Sequence, residues 1–266
     1  MSFAHHRRVS PRRFAMLRAV FALILREMAT THGKALGGYL WKILEPVLGI
    51  ALFSYVASLA FRAPALGSNF PIYFAAGVLP FATFIDVQRR CAGAITFSRQ
   101  LLGYPSVTFV DAILARMILA FVTQIVVFYF ITLGIELWFV TETSYRFERI
   151  VAAMVMAGAL GAGVGIANCF FWHYFPVWNR IYRILTRPLM LLSGVLFIYE
   201  DVPETYQAVI WWNPLVHVTG YSRSGFFGTY NPDWVSFIYV YAFALVPAVV
   251  GLFLLYHFHR RILMLN

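Results

Sequence analysis

The run MILAFVTQIVVFYFITLGI, residues 117–135, carries no charged residue. A helix crossing a bilayer needs about 20 mostly apolar residues, because the hydrocarbon core is roughly 30 Å thick and each residue rises about 1.5 Å. This run meets that length, and others like it lie on both sides. Residues 46–61 are uncharged but short, and Trp41 and Lys42 can extend them by snorkelling at the interface. Residues 63–85, 150–179 and 234–258 qualify as well, counting His as neutral. A further run, 181–199, is apolar but interrupted by Arg183, Arg187 and Pro188. The reading is an all-α membrane protein with six transmembrane helices.

Residues 205–222 are also uncharged and compete for a seventh span. Trp211-Trp212-Asn213-Pro214 stands in their middle, and Pro cannot continue a helical ladder. Residues 205–223 are therefore expected as an outer re-entrant or interfacial hairpin between spans five and six, irregular backbone being tolerated at membrane depth where protein covers it.

Composition agrees. The chain is 61% hydrophobic and 12% charged, yet its formal net charge is +10. With six spans, 17 Lys/Arg fall on one side and 4 on the other: Arg62, Arg146, Arg149 and Arg223. Lys/Arg collect in cytoplasmic loops, so both termini are expected in the cytoplasm. Arg12-Arg13-Phe14 faintly resembles a twin-arginine signal, but Arg18 breaks the apolar run and no cleavage site follows. Instead Phe14, Leu17, Phe21, Ile24 and Met28 recur at helical spacing, with Arg12, Arg13, Arg18 and Arg26 off that stripe. Residues 11–30 thus read as an amphipathic helix in the cytoplasmic interface. Packing on a protein partner is the alternative, and the two can hold on different faces.

Several chemistries find no support. There is no Gly-x4-Gly-Lys-Ser/Thr phosphate loop. Gly161, Gly163 and Gly165 lie inside an apolar run, where small residues serve close helix packing. Cys91 and Cys169 have no metal spacing, and the terminal histidines lack a third ligand. No catalytic set stands out within the spans, and no metal or cofactor is expected in this chain.

Three segments carry more identity. Gly38-Tyr39-Leu40-Trp41-Lys42-Ile43-Leu44-Glu45-Pro46 enters the first span, with Pro46 at an early helix position. Gly103-Tyr104-Pro105-Ser106-Val107-Thr108-Phe109-Val110-Asp111 leads to Arg116, and Asp111 falls near a helix start, where the dipole favours an acid. Arg187-Pro188, Ser193-Gly194 and Asn213-Pro214-Leu215-Val216-His217 follow. In this order and spacing they resemble the membrane subunits of ABC-2-type polysaccharide exporters, most closely the capsule polysaccharide export permeases, from about residue 14 to the C-terminus.

That resemblance implies a homodimer of six-span subunits in the bacterial inner membrane, one transmembrane domain over residues 1–266, each docked on a separate cytoplasmic nucleotide-binding ABC subunit that binds ATP and Mg. It also implies periplasmic co-polymerase and outer-membrane export partners, and no nucleic acid. The loop between spans two and three, 97–110, would couple to the ATPase through Arg99, Tyr104, Pro105, Asp111 and Arg116. The substrate would be a lipid-linked, usually acidic polysaccharide. Arg26, Lys34, Trp41, Arg89, Arg90, Arg180, Arg183 and Arg187 are candidates for its charge or its lipid head group, against the plainer role of setting topology. Phe171, Trp172, Tyr174 and Trp178 could stack on sugars or belt the interface. Trp211, Trp212, Asn213, Pro214 and Arg223 would form an outer gate, with Asn213 and Pro214 setting its turn. An O-antigen or teichoic-acid exporter shares this pattern. A membrane glycosyl- or acyltransferase would need buried catalytic groups, and a passive channel would need no coupling loop.

Overall fold

A computed structural model of the chain describes residues 15–32, 38–103, 107–141, 143–175 and 177–264. These form eleven α-helices: α1 (Ala15–His32), α2 (Gly38–Ala60), α3 (Phe70–Ala92), α4 (Ala94–Ser98), α5 (Phe109–Trp138), α6 (Phe147–Tyr174), α7 (Trp178–Thr186), α8 (Leu189–Leu192), α9 (Glu204–Trp211), α10 (Pro214–Phe226) and α11 (Phe237–Met264). Five of them, α2, α3, α5, α6 and α11, are long and apolar enough to cross a membrane.

Local chemistry sets several boundaries. Thr108 caps α5: its hydroxyl accepts from the Asp111 N–H at 3.2 Å, and Asp111 Oδ2 accepts from the Thr108 N–H at 2.8 Å. This reciprocal box satisfies two donors that a helix start leaves without partners. Asn213 caps α10 by accepting from Leu215 N–H at 3.0 Å, and Pro214 supplies the first helical residue, where its missing N–H costs nothing.

The first two spans begin elsewhere than their apolar runs. Pro46 stands inside α2 rather than at its start, since the helix already begins at Gly38. Helix α3 begins at Phe70, later than the run from 63, because Ser68-Asn69 and Gly67 (φ +75°) break the chain just before it.

The core centres on α6, sandwiched between α3 and α11. A Cβ at Gly161 would come within 2.7 Å of the Phe84 carbonyl, and one at Gly165 within 2.7 Å of the Cys91 Cβ, both on α3. On the opposite side, a Cβ at Gly163 would strike the Ala244 carbonyl of α11. The glycine-rich run is therefore where three backbones approach each other, as small residues permit. Helix α2 is peripheral: 11% of its apolar window is buried, against 67% for α3. A groove of about 700 Å³ separates α2 from α5.

Residues 181–199, expected as span five, are not one continuous helix. α7 ends at Thr186, Arg187-Pro188 intervenes, α8 adds one turn, and Gly194 (φ +67°) turns the chain. Proline removes a ladder hydrogen bond, which is why the helix stops there. The segment nonetheless runs along the bundle. Met190 lines a groove whose α3 wall runs from Val78 to Arg89, and Val195 lies against Gly77 nearer the start of α3.

Candidate functional site

At the α3 C-terminal end of the bundle, four helices meet in one network of ions. Helix α1 buries Val20 and Leu23 against Ala115 and half-buried neighbours on α5, and the same face carries Glu27, 2% exposed. Its other face leaves Leu17, Phe21, Leu25 and Met28 exposed. Protein packing and an outward apolar face thus occupy two sides of one helix.

Glu27 cannot be buried alone, because an unpaired carboxylate away from water is costly. Arg90 Nη1 donates to its Oε1 at 3.2 Å, and Arg116 Nε stands 3.4 Å from the same oxygen, an ion contact without hydrogen-bond alignment. Arg90 Nε reaches Asp86 Oδ2 at 3.2 Å, one turn back on α3, and Lys42 of α2 reaches that oxygen at 3.4 Å. The path Lys42–Asp86–Arg90–Glu27–Arg116 therefore ties α2, α3, α1 and α5 together.

Arg116 carries the path into α4. Its Nη1 donates to the Gly93 carbonyl at 2.9 Å, and its guanidinium lies 4.5 Å over the Phe97 ring. α4 is held again by His173 of α6. The Cys169 carbonyl can only accept, so His173 Nδ1 donates to it at 2.7 Å, and Nε2 accepts from the Thr96 hydroxyl at 2.7 Å. This arrangement has no nucleophile or paired acids aimed at a common point. What it can do is mechanical: a displacement of α4 is passed to α1, α3, α5 and α6 at once.

Of the expected coupling residues, Arg116 is the hub of this network and Asp111 caps α5. Arg99 is exposed at the end of α4. Tyr104 and Pro105, like Lys34, lie outside the described residues. Arg90 was expected to serve a lipid head group, but it is 8% exposed and engaged with Glu27 and Asp86. Arg89, its neighbour, is exposed and lines a groove of about 390 Å³ with Lys42, Glu45 and Asp86. Trp41 is exposed, and Arg26 is half-buried. Arg180, Arg183 and Arg187 are all exposed along α7 and its C-terminus.

The aromatic candidates pack chiefly on one another. Phe171 meets Trp178 at 5.4 Å between ring centroids, and Tyr174 stacks on Phe170 at 5.1 Å. Trp178 Nε1 donates to Asn168 at 2.8 Å, holding α7 to α6, and Trp172 lies 6.5 Å from Tyr182.

At the opposite end of the bundle lies Arg223, which was counted on the outer side and assigned to the outer gate. It is 1% exposed, because α10 is inserted beside α3 and α6. Its Nη1 donates to Phe197 O at 2.5 Å and its Nη2 to Val195 O at 2.8 Å, with the guanidinium 4.5 Å over the Tyr73 ring. Arg223 thus fastens the turn after α8 to α3. Beside it, Glu200 accepts from Tyr230 at 2.9 Å and from Trp234 Nε1 at 2.7 Å. Burial and that carboxylate push the Tyr230 phenol well above its ordinary range, so it stays a donor. His217, fully enclosed, joins α10 to both flanking segments: Nε2 donates to Trp211 O at 2.9 Å, and Nδ1 accepts from Ser236 N–H at 3.2 Å. Trp211 is half-buried and Trp212 is exposed.

Sequence reasoning did not single out Glu27, Lys42 or Asp86 as site residues. Two signals pointed there: a lone acid in an otherwise basic interfacial helix, and an Asp86/Arg90 pair at helical i,i+4 spacing.

Comparison with known proteins places the chain. Residues 18–227 match the ABC-2 type transporter family. The chain is 32% identical over 235 residues to the polysialic acid transport protein KpsM of Escherichia coli, covering 88% of this chain and 90% of that protein. It is 29% identical over 255 residues to the capsule polysaccharide export inner-membrane protein CtrC of Neisseria meningitidis serogroup B, and 25% identical over 250 residues to the BexB protein of that description from Haemophilus influenzae, covering 92% of both chains in each case.

Proposed function

Because the chain belongs to the ABC-2 type transporter family, we propose that it is the permease subunit of an ATP-driven exporter carrying lipid-linked capsular polysaccharide out of the cytoplasm. The observation that carries this reading is likeness over nearly the full length to three proteins named for polysialic acid transport or capsule polysaccharide export. The chain has no phosphate loop, so ATP and Mg belong to a separate nucleotide-binding subunit. In this reading the Glu27–Arg90 end of the bundle is cytoplasmic, in keeping with the distribution of Lys and Arg. α4 receives the movement of the ATPase, and Arg116 and His173 hand it to the spans. Two copies pair to enclose the path, since one copy leaves α2 and the arginine face of α7 uncovered. Periplasmic co-polymerase and outer-membrane partners take over the polymer.

The test is a strain lacking this gene but retaining the candidate nucleotide-binding subunit. Polymer should accumulate inside and return to the surface when the full chain is supplied. Purified together, the pair should hydrolyse ATP, and Arg116→Ala should sever hydrolysis from export without loss of the chain from the membrane. Polymer reaching the surface in the gene's absence would refute the reading.

A further inference from the structure

Both ring nitrogens of His217 on α10 are committed, and their partners fix its protonation. A carbonyl can only accept, so Nε2 carries a proton toward Trp211 O. A backbone N–H can only donate, so Nδ1 keeps its lone pair toward Ser236. The imidazole is therefore neutral and held as a single tautomer.

Those two bonds join three elements. Trp211 ends α9, and Ser236 stands directly before α11. Ser236 also starts that helix: its hydroxyl accepts from Tyr239 N–H at 3.3 Å, and its carbonyl accepts from Val240 N–H at 3.3 Å. The bond to His217 thus ties the first turn of α11 to α10.

Nothing around the ring is placed to take a second proton's charge. The side chain is 0% exposed, with the rings of Trp211, Trp234 and Tyr239 at 4.9, 5.3 and 5.3 Å between centroids. On α11, the Tyr239 hydroxyl donates to Trp212 O. In the turn before α11, Asp233 is exposed, and Glu200 lies behind Trp234, accepting from its Nε1 and from Tyr230. On α9, Glu204 is exposed almost two turns before Trp211. On α10 itself, Arg223 is spent on the carbonyls of Phe197 and Val195. A proton on Nδ1 would therefore face the Ser236 N–H, donor against donor, and a buried donor without an acceptor is costly. The ring faces attract cations, yet they supply no acceptor. Burial lowers the His217 pKa from its ordinary value, and the bond to Trp211 O offsets part of that.

We propose that His217 is a pH-operated clasp: neutral, it holds Trp211 and Ser236 together, and on taking a proton at Nδ1 it releases Ser236 and frees the start of α11 from α10. The proton can enter only when the Ser236 N–H has left, so uptake and release are one event. The open form binds the extra proton, so the closed form is favoured above about pH 6.5 and is lost progressively below it. This goes beyond the exporter reading and does not rest on it. Where that reading holds, the clasp lies at the end of the bundle away from the ATPase.

The test is hydrogen–deuterium exchange of the full chain in lipid nanodiscs, followed in peptides spanning residues 234–240. Each rate is divided by the chemical exchange rate at the same pH. With a free imidazole in the open form and none of the second proton in the closed one, the open fraction should rise about tenfold from pH 7.5 to 5.5. Peptides from the middle of α6 should stay level over that range. His217→Asn keeps an acceptor near the place of Nδ1 but cannot titrate, and it should give a flat profile. Glu200→Gln, which removes the carboxylate behind Trp234, should keep the native profile.

A flat profile in the native chain overturns the clasp, and so does an equal rise in His217→Asn. A rise that disappears in Glu200→Gln assigns the titration to that carboxylate and overturns it too. Should His217→Asn fail to accumulate, the native and Glu200→Gln profiles decide: a tenfold rise in both supports the clasp, and its absence from either refutes it. None of these outcomes depends on whether polymer reaches the cell surface, so the exporter reading stands or falls separately.

Discussion

A single carboxylate holds the α1 end of the bundle together. Glu27 is the only acid between Met1 and Lys42, and it lies against two guanidinium groups from different helices. Removing one member of a buried ion set costs about 3–5 kcal/mol, because the partners remain buried without compensation. Glu27→Ala should therefore lower the thermal unfolding temperature of the detergent-purified protein sharply. Arg90→Met with Glu27→Leu, which removes a pair rather than a member, should recover much of that loss. An unchanged melting temperature in Glu27→Ala would show that Arg90 finds sufficient support in Asp86. Arg223 carries a comparable burden at the other end, with backbone carbonyls in place of an acid.

Among elements, those decided by neighbours in sequence were legible and those decided by distant packing were not. Thr108 with Asp111 and Asn213 with Pro214 act over three residues or fewer, so the starts of α5 and α10 follow from local chemistry. The break at Arg187-Pro188 was visible for the same reason. The course of the chain beyond it depends on Val195 lying against Gly77, a contact across 118 positions that leaves no local trace. Likewise Glu27 meets Arg90 across 63 positions, so the charge counts placed both residues on one side without joining them. Small residues in a span indicate close approach but not the partner. α6 uses Gly161 and Gly165 for α3 and Gly163 for α11. Gly163→Leu should thus force α11 away from α6, an overpacking cost of about 1–3 kcal/mol or more. It should show as a lower melting temperature, while Gly134→Leu on α5, with open space around its Cα, should melt as the native chain does.

For the whole molecule, the orientation that charge asymmetry implies has a direct readout. Alkaline phosphatase, active only when exported, should be inactive fused after Met264 and active when inserted in the turn after Trp138. The reverse pattern would invert every assignment of side made under the exporter reading. Five long helices were recognisable as apolar runs, because length and lack of charge are properties of the segment itself. The segment 181–199 was not recognisable in detail, since it is assembled from short helices and a turn fastened from outside by Arg223. The three-backbone junction at α6 divides the molecule mechanically. α3, α6 and α11 approach without side chains between them, so they form a keel that cannot shear without collisions between main chains. The keel holds α2 and the jointed segment from α7 to α8 through side chains instead, Lys42 on Asp86 and Trp178 on Asn168. An opening stroke that starts at α4 would then work like a rowlock: the hull stays rigid while the oar turns about Arg187 and Pro188.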